Sequence, residues 1–331
     1  MWLNPIVKKD VRVQSRSMKI CWGVFAYELI LALVFFVAMM AIEQGNRYST
    51  ANIYSALVWL YPVLAVTQLI ILGIVVPVQT ASSISGEKER QTFDIMMTTG
   101  MTPFSVIFGK VMTAIVQSMF FVIASMPVMA LCFVIGGMSW SYLFWFLGVA
   151  LLVSVFSASI GILCSSLCKK SISAVIMSYV FYIVFFIGTV LPYLLYAIIE
   201  ESRRYSNGAS SAYNSHGENL ALFFLLNPAV YLAEFFVKVM SGESMVNSFS
   251  GMTGTTQKKE LISYVATGNR WMIISTILFL AVSFLFLFLA AKRIDPIKKR
   301  RKEKIQVQGQ PVQRPVYSDG NVTGADEDKN R

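Results

Sequence analysis

Charged residues are scarce in this chain of 331 residues: only 14% are Asp, Glu, Lys or Arg, whereas 56% are hydrophobic. A soluble domain carries about 25% charged residues, because water must solvate its surface. A chain whose exterior contacts lipid has no such requirement, and runs of about 20 apolar residues are its usual signature. The scarcity of charge therefore excludes an ordinary soluble protein and indicates several membrane spans.

Histidine and cysteine are also scarce, which limits metal and redox chemistry. His216 is the only histidine, so the H-E-x-x-H zinc motif is impossible. The four cysteines lie within or at the ends of apolar runs, unlike the clustered cysteines of a disulfide framework. Cys164 and Cys168 stand one helical turn apart, a spacing that could hold a metal. We interpret them instead as small residues packed in a membrane helix.

The sequence also lacks the common catalytic motifs. It contains neither the G-x-x-x-x-G-K-[ST] phosphate-binding loop nor a G-x-S-x-G nucleophile motif. The nearest match to the phosphate loop, GMTGTTQKK from Gly251, has the wrong spacing and follows no predicted strand. We therefore expect a protein that is not an enzyme by itself and that binds no cofactor or metal.

Six apolar segments are long enough to cross a bilayer, and they predict an all-α polytopic membrane protein. A basic N-terminal segment, residues 1–19, precedes the first apolar run, and residues 294–331 are predicted to be a basic and then disordered tail. Between them, the transmembrane domain of residues 20–293 contains predicted spans at 20–42, 53–78, 104–135, 140–167, 172–199 and 271–291.

Lysine and arginine residues near the span ends predict the orientation, because cytoplasmic loops carry an excess of both. They concentrate in residues 1–19, in residues 79–110, at Lys169–Lys170 and after residue 291. The two short loops on the other side contain only Arg47. Both termini are therefore predicted to be cytoplasmic.

The predicted outer loop, residues 200–270, contains an apolar stretch at residues 220–242 that could be mistaken for a seventh span. A seventh span would place the basic tail outside, against the charge bias. Asn227–Pro228 also interrupts the stretch, since the residue before a proline resists the α conformation. We expect a re-entrant or interfacial helix here.

Three polar side chains within the predicted spans, Glu28, Gln68 and Gln117, form a candidate intramembrane polar site. An acid inside a membrane span is costly and normally faces the bundle interior or water. For Glu28 two interpretations stay open: a polar lining of a transport path or partner for a lysine, and a buried acid that fixes helix packing.

The segment SISGEKERQTFDIMMTTGMTP, residues 83–103, places charge between two apolar runs. Ser85 suits a helix N-cap, and Glu87 and Glu89 would lie in the first turn, where the helix dipole favours acids. Apolar residues such as Phe93 and Met97 follow at helical spacing. The pattern predicts an amphipathic cytoplasmic helix over residues 85–101.

This helix could rest on lipid or dock to a protein. A lipid-anchoring helix is typically rich in lysine and arginine. Here Lys88 and Arg90 are offset by Glu87, Glu89 and Asp94. The near balance of charge favours a protein partner.

The stretch SGEKERQTFDIMMTTGMTPFSVIFGK, residues 85–110, resembles the cytoplasmic loop before the third span of ABC-2 type transporter permeases. Other similarities are the Asn4–Pro5 opening before a basic helix, the Asn227–Pro228 pair, and RIDPIKKRR after the last span. The first of these implies that residues 1–19 form an interfacial helix along the membrane. Asp10 departs from the family pattern, which more usually has glutamate there. The positions that match in the loop are Glu87, Glu89, Arg90, Thr92, Ile95, Met96, Thr98, Thr102, Ile107, Gly109 and Lys110.

The resemblance implies the permease subunit of an ABC exporter in a bacterial plasma membrane, working as a homodimer or as a heterodimer with a related permease. A separate ATPase subunit would use ATP and Mg²⁺, and the helix at 85–101 would be the coupling helix that docks to it. Membrane lipid is the other expected partner, and no nucleic acid is expected. The docking residues would be Glu87, Lys88, Glu89, Arg90, Thr92, Phe93, Asp94 and Met97.

An alternative is a secondary transporter or channel that works without an ATPase. Such proteins often carry several ionisable residues or broken helices at mid-membrane and show inverted repeats. In this sequence only Glu28 is such a residue, and no repeat is apparent.

Overall fold

The structure, a computed structural model, describes residues 5–15, 17–45, 57–93, 95, 102–136, 139–207, 222–241 and 270–294. Within these residues the protein contains nine α-helices and no strand, which confirms the predicted all-α fold. The predicted tail, residues 294–331, lies outside the described residues after Ile294. The helices are α1 Pro5–Ser15, α2 Met18–Gly45, α3 Leu60–Glu89, α4 Pro103–Ala124, α5 Met126–Gly136, α6 Ser141–Leu167, α7 Ser171–Asn207, α8 Pro228–Ser241 and α9 Arg270–Ile294.

Six of these helices, α2, α3, α4, α6, α7 and α9, are long and apolar enough to cross a membrane. The number agrees with the six spans predicted from the sequence. Helix α3 has 30 residues and α7 has 37, so they are about 45 and 55 Å long at 1.5 Å per residue. Both exceed the roughly 30 Å of hydrocarbon in a bilayer, so each must tilt or extend beyond it.

Helix α6 lies at the centre of the bundle and packs against α3, α4, α7 and α9. Small residues make this possible, because they let helix backbones approach closely in a membrane. Gly161 of α6 lies so near α3 that a Cβ built on it would be 1.9 Å from Thr80 Oγ1. By contrast, few residues of α2, α7 and α9 are buried, and each of these helices exposes several large apolar side chains.

The predicted third span, residues 104–135, is divided by the structure into α4 and the short helix α5. The division falls at Ser125, two residues before Pro127. A proline in a helix lacks an N–H donor and its ring clashes with the carbonyl four residues earlier, which breaks or kinks the helix. Helix α5 has 11 residues and is about 17 Å long, too short to cross.

The predicted separate helix at residues 85–101 is corrected by the structure, because α3 continues through Ser85 to Glu89. Ser85 is not an N-cap: it is fully buried, and its hydroxyl donates to the carbonyl of Ala81 one turn earlier. The helix ends where Gln91 adopts a positive φ of 59°. Helical structure resumes at Thr92, and residues 94 and 96–101 lie outside the described residues.

Helix α8 begins at Pro228, as the Asn227–Pro228 pair predicts. The Asn227 side-chain oxygen accepts hydrogen bonds from the backbone N–H groups of Ala229 and Val230, at 2.9 and 3.3 Å. This is an N-cap followed by proline at the first helical position, where its missing N–H has no cost. With 14 residues α8 is about 21 Å long, so it is too short for a seventh span.

Candidate functional site

Charged side chains from several helices meet at one end of the bundle, which we call the basic end. Asp10 of α1 contacts Lys110 of α4, and Lys110 also contacts Glu87 near the end of α3. Lys88 contacts the end of α6, and Arg293 of α9 lies near enough to Lys88 for an electrostatic interaction. The basic end therefore collects side chains from α1, α3, α4, α6 and α9.

Lys110 is the centre of an ion cluster that joins three helices. Its Nζ atom lies 2.6 Å from Glu87 Oε1 and 3.0 Å from Asp10 Oδ2. The lysine side chain is only 10% exposed, and the two carboxylates are 19% and 24% exposed. Charges in such a partly buried place interact more strongly than they do in water. The cluster thus holds α1 against α3 and α4.

The next two residues of α3 bind the facing ends of α6 and α7. Lys88 Nζ donates to the carbonyl of Ser166 at 2.6 Å and to two further carbonyls at the α6 C-terminus, where the helix dipole favours a cation. Glu89 accepts hydrogen bonds from the backbone N–H and hydroxyl of Ser171 at 3.1 and 2.8 Å. Ser171 begins α7, so an acid suits that helix end.

We refer to Glu87, Lys88 and Glu89 as the clamp, since these three consecutive side chains fasten α3 directly to α4, α6 and α7. Lys110 extends the connection to Asp10 of α1. The sequence predicted all three clamp residues as docking residues for a partner, and in the structure each of them forms a polar contact within the chain. The clamp therefore fixes the position of α3 at the basic end.

The other predicted docking residues follow the clamp directly. Arg90 and Thr92 are exposed. Phe93 is partly buried and packs against the core, with Lys88 Nζ 6.0 Å from its ring centroid. Asp94 and Met97 lie outside the described residues.

The candidate intramembrane site is centred on Gln68, whose side chain is fully buried. Its Nε2 donates to Ser125 Oγ at 2.7 Å, and Tyr27 OH donates to the same oxygen at 3.5 Å. This group, called the Gln68 group below, joins α2, α3 and the break between α4 and α5. The Oε1 atoms of Gln68 and Glu28 are buried without a hydrogen-bond partner among the described residues.

The third predicted member of this site stands apart. Gln117 is partly buried on α4, and no hydrogen bond in the described part of the chain joins it to the Gln68 group. Sequence reasoning missed Tyr27 and Ser125. Pro127 was a signal for Ser125, because a helix that breaks near a proline leaves backbone groups with which a nearby serine can form hydrogen bonds.

Two of the clamp's contacts, Ser166 and Ser171, were also missed, as was Asp10, which contacts Lys110. Asp10 and Lys110 are 100 positions apart in the chain. A lysine close to an apolar run does indicate that an acidic partner is needed. The sequence alone, however, does not say which acid supplies it.

A family model described as ABC-2 family transporter protein matches residues 47–292. The match includes α3 through α8, nearly all of α9, the clamp and Gln68. No curated protein matches the chain. The family match spans well over half of the 331 residues and agrees with the resemblance found at residues 85–110. With its six long apolar helices, the chain belongs to the ABC-2 family of transporter proteins and is a multi-pass membrane permease.

Proposed function

We propose that this permease forms the substrate pathway of an ABC exporter in a bacterial plasma membrane, with a separate ATPase subunit docked at its basic end. Its basic end would then face the cytoplasm, in keeping with the excess of lysine and arginine there. The sequence contains no phosphate-binding loop, so ATP and Mg²⁺ would be bound by the partner subunit.

The clamp is the observation that carries this proposal. Mechanical coupling requires that a displacement at the docking surface reach the spans without being absorbed by a flexible loop. Glu87, Lys88 and Glu89 link the end of α3 to α4, α6 and α7 through short polar contacts, and Lys110 of α4 extends the link to α1. A push applied just beyond Glu89 would therefore move several helices together.

The docking surface would begin at Arg90, directly after the clamp. Arg90 and Thr92 are exposed, and neither forms part of the clamp. Asp94 and Met97 follow in the sequence and complete the proposed surface. Its near-balanced charge suits a protein better than an anionic lipid surface.

A second permease chain, identical or related, would complete the pathway. The membrane-facing parts of α2, α7 and α9 expose large apolar side chains such as Phe36, Ile187 and Phe284. A partner permease would cover part of this surface and lipid the remainder.

The Gln68 group and Glu28 are proposed to lie beside that pathway. Each leaves one buried acceptor oxygen without a donor within the described residues. Unsatisfied polar atoms are costly in a membrane, so a donor from a substrate or from the second permease chain would stabilise them.

The proposal is tested by reversing the charge of Arg90. The proposal expects the gene of an ABC ATPase beside that of the permease. The two proteins are co-expressed, the permease is purified in detergent, and the amount of ATPase that co-purifies is measured. Arg90→Glu is expected to weaken the association at least about fivefold, which corresponds to about 1 kcal/mol at the interface. ATP-dependent transport by reconstituted vesicles should fall in parallel.

Lys292→Glu is the matched control, because it makes the same charge change on an exposed residue of α9 at the basic end. It should leave the association unchanged. Normal association and transport in both Arg90→Glu and the double variant Arg90→Glu/Asp94→Arg would refute the docking assignment. Transport by the purified permease without any ATPase would instead favour a secondary transporter.

A further inference from the structure

A cavity of about 180 Å³ lies among α3, α6, α7, α8 and α9. Its wall is formed mainly by apolar side chains, among them Leu69, Phe156, Leu232 and Phe279. Gly73 of α3 also lines it, and a Cβ built on this glycine would meet nothing within 4 Å. The cavity therefore has open space directly in front of Gly73.

The hydroxyl groups on the cavity wall are already engaged in hydrogen bonds. Tyr182 OH donates to Ser157 Oγ, and Tyr231 OH pairs with Thr276 Oγ1 at 3.0 Å. A polar ligand would find few free hydrogen-bonding groups to orient it. An apolar ligand needs none, so it loses no hydrogen bond when it enters this cavity. The chemistry of the wall selects an apolar occupant.

The cavity lies close to the middle of the spans that form it. At 1.5 Å per residue, Gly73 lies about 20 Å from the first residue of α3 and about 24 Å from the last. Phe156 lies about 22 and 17 Å from the two ends of α6. For spanning helices this depth is near the bilayer midplane, where the ends of lipid acyl chains are found.

The cavity opens toward the apolar surface of the bundle. Two of its lining residues, Ile70 of α3 and Phe186 of α7, are 54% and 45% exposed. Their neighbours Ile74 and Ile187 are also exposed on the same helices. In a membrane this surface contacts hydrocarbon, so acyl chains are the apolar groups most abundant at the opening.

We propose that this cavity binds the terminal part of an acyl chain of a membrane lipid, with α8 as one of its walls. The volume is adequate, since an apolar cavity of about 150 Å³ accommodates benzene. A bound chain would fill the space between α8 and the other walls on α3, α6 and α7, and so add to the contact that α8 makes with α9. The site is independent of the ATPase partner and of the basic end, so its test does not depend on the proposed transport cycle.

The test uses the full chain in lipid vesicles that contain a phospholipid with a photoreactive diazirine at the end of one acyl chain. After irradiation, mass spectrometry maps the lipid adducts. Phe279 is the diagnostic residue, because it lines the cavity but is only 2% exposed, so that surface lipid does not reach it. Adducts on Phe279 are expected in the unmodified chain.

Gly73→Leu fills the open space, and it is expected to lower the Phe279 adduct at least about tenfold, a difference of about 1.4 kcal/mol in binding. Gly148→Leu is the matched control. A Cβ on Gly148 also meets nothing within 4 Å, but Gly148 lies on α6 away from the cavity wall. The control should keep the adduct at the level of the unmodified chain.

Equal Phe279 adducts in the two variants, or adducts confined to exposed residues such as Phe36, would overturn the proposal. The proposal would also be overturned if the unmodified chain gave no Phe279 adduct and Gly73→Leu converted a dimer to a monomer. That result would mean that a second copy of the chain fills the cavity. A second lipid keeps the test decisive if Gly73→Leu does not fold. With the diazirine beside the ester group, the Phe279 adduct should disappear, and its persistence would contradict the proposed depth.

Discussion

Gly161 is the point of closest approach between α3 and α6, and replacing it with alanine tests how the bundle core is held. A Cβ at this position would lie 1.9 Å from Thr80 Oγ1, 2.9 Å from Thr80 Cβ and 3.1 Å from the backbone nitrogen of Ala81. Real Cβ atoms essentially never lie within 3.0 Å of such atoms, and 3.1 Å is a tight contact, so either Thr80 or the α3 backbone must move.

Thr80 has little freedom to move. It is buried, and its hydroxyl donates to the carbonyl of Val76 at 2.9 Å. Overpacking a close-packed core costs about 1–3 kcal/mol. Alanine in place of a helical glycine recovers up to about 1 kcal/mol through helix propensity. The net expectation for Gly161→Ala is a loss of about 1–2 kcal/mol in the free energy of unfolding.

The assay is thermal unfolding of the purified permease in detergent, followed by tryptophan fluorescence. A loss of this size should lower Tm by about 2–8 °C. Gly148→Ala is the control: it makes the same chemical change on the same helix where nothing lies within 4 Å. Its Tm should be unchanged or slightly raised.

A second substitution separates the clash from other effects of the alanine. Each double variant is compared with its Thr80 single variant, because glycine or alanine at position 80 itself changes helix stability. In the Thr80→Gly background both short contacts with Thr80 are gone, so adding Gly161→Ala should cost little. In the Thr80→Ala background only the 1.9 Å contact is gone, so adding Gly161→Ala should cost more, because the 2.9 Å contact is with the Cβ. A Tm for Gly161→Ala at or above that of the unmodified chain would refute this account of the α3–α6 contact.

Two further substitutions test the clamp and the start of α8. Lys110→Met leaves two partly buried carboxylates without their cation. It should lower the free energy of unfolding by about 1–3 kcal/mol, less than the roughly 3–5 kcal/mol of a fully buried pair. Helix α1 should become more sensitive to limited trypsin digestion, whereas Lys110→Arg should resemble the unmodified chain. Asn227→Ala removes the N-cap of α8 and its donor to Thr189 and should lower the free energy of unfolding by about 1–2 kcal/mol. Asn227→Ser keeps a capping hydroxyl, so its Tm should lie between those of the unmodified chain and Asn227→Ala. A Tm equal to that of Asn227→Ala would show that the cap does not stabilise the protein.

The six spans were predictable from the sequence because the preference of a helix for lipid depends on local composition. Each span is a run of about 20 apolar residues, and no distant contact is needed to recognise it. The break before α8 was predictable for the same reason, since Pro228 restricts the residue that precedes it. The match at residues 85–110 likewise rests on consecutive residues.

The start of the charged helix was not predictable, and Ser85 shows why. A serine followed by acids fits an N-cap, but it also fits a helix interior where the serine bonds back to an earlier carbonyl. The second arrangement occurs because α6 covers α3 at this point, and Ser165 of α6 accepts hydrogen bonds from the backbone N–H groups of Ile84 and Ser85. Ser165 is 80 positions from Ser85 in the chain, so the sequence around Ser85 does not reveal this contact.

What the sequence determined by itself was the class of protein, the number of spans and the segment from which the family is recognised. Each of these properties depends on the residues of one continuous stretch, because helix formation and the preference for lipid are determined mainly by local composition. Only the tertiary structure decided that Glu87, Lys88 and Glu89 fasten helices together, and that Gln68 meets Ser125. Polar side chains in an apolar bundle take whichever partner the packing brings within about 3 Å, and packing depends on every helix at once.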